Sequence, residues 1–479
     1  MKIERTKNAA RNMLFGTLAK LFQMVIGFGM RTAMIYYMGV QYLGLNSLFT
    51  SILSVLNMAE LGVGSAMVYS MYKPIAEEDK DTICALMRLY RLYYRVIGIV
   101  ILVLGLFCIP IVPHLIKGNI PEELSIYGLY LLNLFATVLS YWLFAYRNCL
   151  LQAYQRNDIT DKIEIILSAA RTVLQIVAIA VLKNYYVYLI VSLVFQVVSN
   201  VITAFITKKM YPHYKPVGTL EKERIQSINQ RIRALFITKF GVIVVNSADT
   251  IVISAFMGLT HLAVYQNYYF IMTSVSAFTS LIFNSIRAGV GNSMVTETNE
   301  KNYQDFNLLT FIICWIACVC TCCFVGLYQP FMELWVGKEL MLPFGCMLLF
   351  CVFFYLHQLS LVWATMKDAV GMWHEDRFRQ LIAALFNLTL NLVLVNYIGM
   401  YGIMLSTILS YLMISMPWLL RNLFSLLFQR SAAEYVRCLS GYVAVALVSC
   451  VLVSVVCERM IFLNGIWGLL GRGIICVMI

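Results

Sequence analysis

Apolar runs of about 20 residues recur along this 479-residue chain, and they restrict its fold more than any other feature of the sequence. A helix of that length crosses the ~30 Å hydrocarbon core of a bilayer. Inside hydrocarbon every backbone N–H and C=O needs an internal partner, so only helices and closed barrels can span it. Because the runs are continuous and not alternating, barrel strands are excluded. With 61% hydrophobic and only 13% charged residues, the sequence predicts an all-α polytopic membrane protein.

The runs predict about 14 transmembrane helices. The first run continues past Tyr37, carries Lys20 and Arg31, and has no small-residue cleavage site, so it is interpreted as a span and not as a signal peptide. The predicted spans are residues 12–38, 42–71, 83–113, 124–150, 160–182, 186–207, 232–257, 261–285, 303–328, 341–365, 379–398, 402–427, 435–456 and 460–479.

Basic residues are distributed unevenly between the two ends of these spans. With a cytoplasmic N-terminus, 27 of the 36 Lys and Arg residues fall at cytoplasmic ends and loops, four in outside loops and five within spans. The positive-inside rule therefore predicts that the N-terminus is cytoplasmic. Topology accounts for most of the net charge of +12, and no nucleic-acid partner is expected.

A short motif occurs twice, almost half the chain apart, as GVGSAMV at 62–68 and GVGNSMV at 289–295. Each copy follows an equivalent pair of spans, and aligning Gly39 with Gly258 superposes two span–turn–span hairpins. Six spans per half is an even number, so the halves share one orientation. The pattern predicts two six-helix lobes related as a parallel pseudo-twofold repeat, plus two extra C-terminal helices.

The repeat sets the predicted domain boundaries. The predicted parts are an N-lobe at 1–207, a basic cytoplasmic linker at 208–231, a C-lobe at 232–430, and the last two helices at 431–479. Span 14 stops at Ile479 without a basic tail, so either the chain is truncated or this span is incomplete.

The glycines of the repeated motif are candidate packing or hinge points. They are Gly62, Gly64, Gly289 and Gly291. Ordinary small-residue contacts between helices are the alternative interpretation.

Polar residues form stripes on seven of the predicted spans, at spacings that share one helix face. Seven stripes favour a common water-filled cavity over simple interhelical contacts. In the first half the stripes include Lys20, Gln23, Gly27 and Arg31; Asn46, Thr50, Asn57 and Glu60; Asn133, Thr137, Ser140 and Arg147; Glu164, Ser168, Arg171 and Gln175; Ser192, Gln196, Ser199 and Thr203.

The charges within these stripes point to an anionic ligand. A charge at mid-bilayer costs roughly 2.5–3.5 kcal/mol, so Arg31, Arg171, Lys239 and Asp249 cannot all face lipid. Excess Lys and Arg in spans 1–7 suits an anionic group, and the planar guanidinium suits phosphate. The candidate substrate-binding residues in the central cavity are Arg31, Arg147, Arg171 and Lys239. Structural roles remain alternatives: an ion pair for Glu164 with Arg171, and snorkelling for Lys20 and Arg147.

Several other classes of function are not supported. Five cysteines (Cys314, Cys318, Cys320, Cys322 and Cys323) lie within the ninth span without His or acidic residues, so they are interpreted as packing residues and no metal site is expected. No nucleophile–base pair, nucleotide-binding loop or large outside loop is present, so no catalytic residue is assigned and an enzyme is not expected. A membrane-embedded polysaccharide polymerase stays a lesser alternative.

The stretch YYMGVQYLGLNSLFTSILSVLNMAELGVGSAMVYSMYKPIAEED (36–79) resembles Wzx-type polysaccharide flippases of the multidrug/oligosaccharidyl-lipid/polysaccharide exporter superfamily. The resemblance extends over nearly the whole chain. It implies two six-helix lobes around a central cavity that works by alternating access. The chain lacks the Arg-Asp pair found in span 1 of the lipid II flippases, which argues against a peptidoglycan-precursor role.

The resemblance also implies the function and its partners. The expected substrate is an undecaprenyl-pyrophosphate-linked oligosaccharide, flipped across the bacterial cytoplasmic membrane for capsule, O-antigen or exopolysaccharide synthesis. Expected partners are membrane lipid and the polymerase and glycosyltransferases of the same pathway. No cofactor is expected beyond a coupling ion, H⁺ or Na⁺, for which the candidate charge-switch residues are Asp249, Glu60 and Glu164. A drug/cation antiporter of the same superfamily is the nearest alternative.

Overall fold

The computed structural model describes residues 5–118, 120–121, 123–460 and 465–479. Within these ranges every regular element is helical. The chain divides into two compact units, Met1–Thr260 and His261–Ile479, and each is described separately below.

The first unit is a bundle in which sequential helices pack as hairpins. Its α-helices are α1 (Arg5–Tyr37), α2 (Val40–Leu56), α3 (Val63–Ala76), α4 (Lys80–Cys108), α5 (Ile126–Trp142), α6 (Asn148–Ala153), α7 (Asn157–Ala180), α8 (Tyr185–Met210) and α9 (Lys222–Met257). Short 3₁₀ turns at Asn57–Glu60, Val112–Leu115 and Ala145–Arg147 connect some of them. Between α8 and α9, residues 211–221 form the non-helical part of the segment predicted as a linker.

The second unit contains longer helices. They are α10 (Leu259–Thr296), α11 (Asn299–Val336), α12 (Phe344–Val370), α13 (Trp373–Asp376), α14 (Arg379–Ile398), α15 (Met400–Ser410), α16 (Met416–Asn422), α17 (Ala433–Met460) and α18 (Gly465–Met478). Two π-helical stretches, Tyr411–Ser415 and Leu423–Phe428, flank α16. The predicted lobe and linker boundaries stay predictions.

Eleven of the described helical segments are long and apolar enough to cross a membrane. Two shorter apolar helices, α5 and α18, coincide with the fourth and fourteenth predicted spans. Helix α10 coincides with the eighth predicted span, and the count of fourteen stays a prediction. Large apolar side chains stand exposed along the helix surfaces; on α17, Val445 and Val451 are each 62% exposed. An apolar surface of this kind suits contact with lipid.

The two copies of the repeated motif fold differently. In the first copy the helix is interrupted: α2 ends at Leu56, a 3₁₀ turn covers Asn57–Glu60, and Gly62 caps α3 with a left-handed φ of 87°. In the second copy α10 runs without a break through Gly289 and Gly291. The same Gly-Val-Gly sequence therefore lies at a helix break in the first unit and within a continuous helix in the second.

A buried aspartate anchors the start of α7 in the first unit. The Asp158 side chain has no exposed surface and accepts from Arg156 Nε at 2.9 Å, with Arg11 Nε at 3.1 Å and Lys162 Nζ at 3.5 Å. Its backbone N–H donates to Asn12 Oδ1 at 2.9 Å. These contacts tie α1 to the turn before α7. Since a buried charge is costly without partners, the cations and the carboxylate depend on one another.

The second unit has a similar arrangement at Asp376, which follows Asp158 at nearly the separation of Gly39 and Gly258. Arg379 Nε and Nη2 contact the two Asp376 carboxylate oxygens at 2.5 and 3.0 Å. Lys367 Nζ lies 3.1 Å from Asp376 and 2.7 Å from Asp368, which Arg287 Nη2 approaches at 3.6 Å. The cluster joins α10, α12 and α14 at one end of the unit.

The cysteines of the ninth span pack between helices. Cys322 and Cys476 are almost fully buried, and the Sγ atoms of Cys322 and Cys450 are 3.8 Å apart as free thiols. They join α11 to α17 and α18, which agrees with the predicted packing role.

The glycines at equivalent positions of the motif should respond differently to alanine. A Cβ at Gly62 would lie 2.6 Å from Leu235 Cβ, and its φ of 87° is unfavourable for any L side chain. We expect Gly62→Ala to destabilise the protein by roughly 1–3 kcal/mol. The measurement is the thermal unfolding temperature of the purified protein in detergent.

Gly289→Ala is the matched control. A Cβ there would meet no described atom within 4 Å, and the residue is helical. Alanine is favoured over glycine in a helix by about 1 kcal/mol, so this variant should unfold at the same or a higher temperature. Equal destabilisation by both changes would contradict the assigned difference.

Candidate functional site

The break between α2 and α3 brings a carboxylate and several backbone groups to the inside of the first unit. Glu60 is the last residue of the 3₁₀ turn, and Leu61 and Gly62 complete the break. If straight, the 17 residues of α2 cover roughly 26 Å, slightly less than the ~30 Å hydrocarbon core, so a helix that enters the core at Gly39 breaks before it leaves the far side. Irregular backbone at such a depth is tolerated where it is enclosed by protein or lines a polar cavity.

Tyrosine hydroxyl groups hold the Glu60 carboxylate. Tyr94 Oη donates to Glu60 Oε1 at 2.7 Å, and Tyr141 Oη lies 3.2 Å from Oε2. Tyr90 Oη in turn donates to Tyr94 Oη at 2.7 Å. All three rings are at least nine-tenths buried, and we call them, with Glu60, the tyrosine cage. Phenol donors stabilise a carboxylate without neutralising its charge.

Gly64 leaves room for this cage. A Cβ at this position would lie 3.1 Å from Tyr90 Oη and 3.6 Å from Glu60 Oε1. Gly62 and Gly64 are therefore at points of close approach. A Cβ at Gly291 would make an ordinary contact at 3.4 Å with the Ala369 carbonyl oxygen.

A cavity of about 540 Å³ opens beside the cage. The break and helices α3, α4, α6, α7, α8 and α9 all contribute to its wall. Its polar lining includes Gln152, Thr160, Ser199, Asn200 and Thr203. Three of the predicted stripes, on spans 2, 5 and 6, thus contribute to one cavity through Glu60, Glu164, Ser199 and Thr203.

The charges that line this cavity are mainly acidic. Glu60, Asp161 and Glu164 face it together with a single cation, Lys239. Lys239 Nζ is 3.3 Å from Ser65 Oγ. Of the four basic residues predicted to bind substrate, only Lys239 belongs to this lining, so the basic character expected for the first half lies elsewhere.

Arg31 and Arg171 both interact with Tyr188, and Arg171 also pairs with Glu164. Arg171 Nη2 is 3.7 Å from Glu164 Oε1, the ion pair considered from the sequence. Both guanidinium groups interact electrostatically with the hydroxyl of Tyr188, which has a buried side chain. We call Arg31, Arg171 and Tyr188 the arginine pair site. It adjoins the acidic cavity through Glu164.

The remaining predicted residues have other surroundings. Arg147 bonds to α8 and to its neighbour in the chain: its Nη1 donates to the Ala204 carbonyl at 3.4 Å and its Nε lies 3.4 Å from Tyr146 Oη. Asp249 is buried in α9 with 7% exposure and is not part of the cavity lining. The charge-switch role expected of Asp249 stays a prediction.

Several hydroxyl groups of the predicted stripes bond to their own helix. Thr50 Oγ1 donates to the Asn46 carbonyl at 2.8 Å, and Thr137 Oγ1 to the Asn133 carbonyl at 3.0 Å. A hydroxyl satisfied in this way needs no water. These members of the stripes therefore give weaker support for a cavity than Ser199, Asn200 and Thr203 do.

The helices and the cavity define a multi-pass α-helical membrane protein with a polar chamber in its N-terminal unit. No protein-family model matches the sequence, and no curated protein matches it at the sequence level.

Solved structures with a similar fold are transporters and flippases. The lipid II flippase MurJ, in an inward closed conformation, is 15% identical with a TM-score of 0.70, covering 97% of this chain and 96% of its own. An inward-facing multidrug resistance MATE family transporter of the MOP superfamily is 12% identical with a TM-score of 0.65, covering 83% and 93%. A MOP superfamily transporter from Pyrococcus furiosus, described by the reverse polarity of its binding pocket, is 13% identical with a TM-score of 0.53, covering 85% and 94%. At these identities the similarity establishes the fold, and the predicted all-α polytopic fold is confirmed.

The tyrosine cage should couple Glu60 energetically to its donors. A hydrogen bond to a charged group contributes about 1.5–3 kcal/mol. We expect Tyr94→Phe to lower the free energy of unfolding by that order in the native background, and by much less in a Glu60→Gln background. Thermal or denaturant unfolding of the four proteins of this double-mutant cycle measures the coupling.

Tyr127→Phe is the control for the loss of a phenol group, because Tyr127 is 50% exposed on α5. It should leave stability unchanged. If Tyr94→Phe costs the same with and without the Glu60 carboxylate, the cage does not act on Glu60.

Proposed function

We propose that this protein is a flippase for undecaprenyl-pyrophosphate-linked oligosaccharides of surface polysaccharide synthesis, and that it acts in the bacterial cytoplasmic membrane with its N-terminus inside. The observation that carries the proposal is the extent of the structural similarity. The likeness to the lipid II flippase extends over 97% of this chain, whereas the likeness to the inward-facing MATE transporter covers 83%. The missing Arg-Asp pair in span 1 favours an oligosaccharide other than the peptidoglycan precursor.

The arginine pair site supplies the chemistry for a pyrophosphate. Two guanidinium groups and a phenol donor suit the phosphate oxygens, because planar guanidinium can bond two oxygens at once. In the structure Arg171 is paired with Glu164, at 3.7 Å. An arriving pyrophosphate would compete with that carboxylate for Arg171, and we assign Asp249 the same competing role toward Arg31.

Displacement of Glu164 connects substrate binding to the acidic cavity. Released from Arg171, Glu164 faces a chamber that already holds Glu60 and Asp161. Like charges at short range disfavour ionisation, so the cavity would take up a proton or a cation at that moment. This gives a route for coupling to an H⁺ or Na⁺ gradient, in which substrate and ion occupy adjacent sites of the first unit.

The three carboxylates also support a second candidate function, a drug/cation antiporter. Acidic lining suits cationic drugs, and the cavity lining is more acidic than basic. The two functions differ in what the carboxylates do: an antiporter needs them to bind drug, whereas a flippase needs them to bind the coupling ion.

Charge variants in a strain lacking the gene test the proposal. The deletion should block surface polymer and accumulate lipid-linked repeat units, and the native gene should restore export. We expect Arg171→Ala and Arg31→Ala to abolish export by removing pyrophosphate binding. Glu164→Gln should retain binding of lipid-linked repeat units by the purified protein but lose gradient-driven flipping in proteoliposomes.

Arg437→Ala is the matched control, since this exposed arginine of α17 lies outside both sites. It should export normally. Normal polymer from the Arg31 and Arg171 variants would remove both residues from the mechanism. If deletion leaves polymer intact but raises sensitivity to cationic dyes, and Glu60→Gln does the same, the antiporter function replaces the flippase.

A further inference from the structure

Helix α4 carries three arginines on one face, away from the acidic cavity. Arg88, Arg91 and Arg95 are spaced three and four residues apart, within an arc of about 60°. Tyr90 and Tyr94, which line the cavity, are centred roughly 110° away around the same helix, on a neighbouring face. Among the described residues, no ion pair of the first unit includes any of these three arginines. A basic group without an acidic partner is available to an external anion.

The arginines line a formed pocket. A cavity of about 450 Å³ lies between this face of α4 and the segment at 216–220. Gly218 has a φ of 93°, and a Cβ there would lie 3.4 Å from Ala85 Cβ, so the segment passes close to α4. Tyr93 Oη donates to Asn229 Oδ1 at 2.7 Å and fixes the start of α9 to the same helix.

Two of the three guanidinium groups are already positioned. Arg88 Nη1 donates to the Gly218 carbonyl at 2.8 Å, which leaves its other N–H groups available. The Arg91 guanidinium lies over the Tyr146 ring, 5.8 Å from its centroid. A side chain that is already ordered loses less conformational freedom when a ligand binds. Freely snorkelling arginines would lack this ordering.

An exposed apolar strip runs along α4 on the face next to the arginines. Leu92, Val96, Ile99 and Val103 are 55%, 50%, 53% and 44% exposed. They follow the arginines along α4 over roughly 16 Å, toward the middle of the predicted span. A basic pocket at the end of an apolar strip matches a molecule with an anionic head and a hydrocarbon tail. Free phosphate would use only the pocket.

We propose that α4 carries a binding site for an anionic phospholipid of the surrounding leaflet. The phosphate contacts Arg88, Arg91 and Arg95, and an acyl chain lies along Leu92, Val96, Ile99 and Val103. Basic pockets beside membrane helices bind such head groups, and arginine forks hold phosphate oxygens in pairs. Because the arginines share α4 with Tyr90 and Tyr94, the bound lipid supports the helix that carries two members of the tyrosine cage.

Native mass spectrometry of the full-length protein tests the site. The protein is reconstituted in nanodiscs of phosphatidylcholine with phosphatidylglycerol, then released and weighed. We expect one retained phosphatidylglycerol on the native protein and a loss of affinity of roughly fivefold for each arginine changed to Gln. The triple variant R88Q/R91Q/R95Q should retain none, and K208Q/K209Q/K222Q, which removes three exposed lysines from the same end, should retain the lipid.

Further arms separate the alternatives. If the triple variant does not fold, the single variants Arg95→Gln and Arg95→Lys replace it, because the exposed Arg95 side chain is the least involved in protein contacts. The Arg95→Lys variant should bind the lipid more weakly than the native protein but more tightly than the Arg95→Gln variant. Equal retention by the arginine and lysine triple variants would overturn the site. Glycerol phosphate, which has no tail, should not displace the lipid at millimolar concentration. Full displacement would mean a site for a free phosphate monoester and would also overturn the proposal.

Discussion

The absence of water in hydrocarbon governs this structure, because every backbone polar group there needs a partner within the protein. Helices meet that need by themselves, and the described regular elements are all helical. A break such as Asn57–Gly62 leaves backbone polar groups without helical partners. It therefore has to be enclosed by other helices or lie beside a polar cavity. The break in turn turns Glu60 inward, and the tyrosines of α4 and α5 supply the donors that a carboxylate at this depth requires. Cavity, cage and broken helix are thus one solution to one constraint.

The two buried aspartates show how the same constraint applies to charge. Asp158 and Asp376 each stand at the entry to a helix of a hairpin, held by cations from neighbouring segments. Without these cations the buried carboxylate would be uncompensated, which is far more costly than losing an exposed pair. In each unit the cluster therefore specifies which helix ends meet. The arginine pair site is different, since Arg171 is one-third exposed and its partner Glu164 more so. The Glu164–Arg171 ion pair is therefore accessible to a competing ligand or ion.

Much of the fold follows from the sequence alone, because apolar runs of spanning length predict helices directly, and the bounds of α12 and α14 lie close to the predicted spans. The Glu164–Arg171 ion pair could also be predicted from the sequence, because the two residues lie on one helix face. The tyrosine cage could not be predicted, because Tyr94 and Tyr141 are 34 and 81 positions from Glu60 in the chain and no local spacing connects them. The acidity of the cavity was missed for a related reason: counting charges by span gave a basic first half, while burial and pairing direct the arginines elsewhere. The sequence did not predict the broken helix, because Gly-Val-Gly occurs in both copies of the motif but interrupts the helix in only one of them.

Helices α10 and α11 are both longer than the hydrocarbon core is thick. Each has 38 residues, roughly 57 Å of helix, while the hydrocarbon core is ~30 Å thick. Even with a typical tilt of about 20°, some 20 Å of each helix extends past the core. The two are joined by the short turn at 297–298, so the hairpin stays helical up to its turn and does not end in a loose loop. Glu300 and Lys301, next to this turn, are exposed. A two-residue connection keeps these two helix ends close together wherever they leave the bilayer.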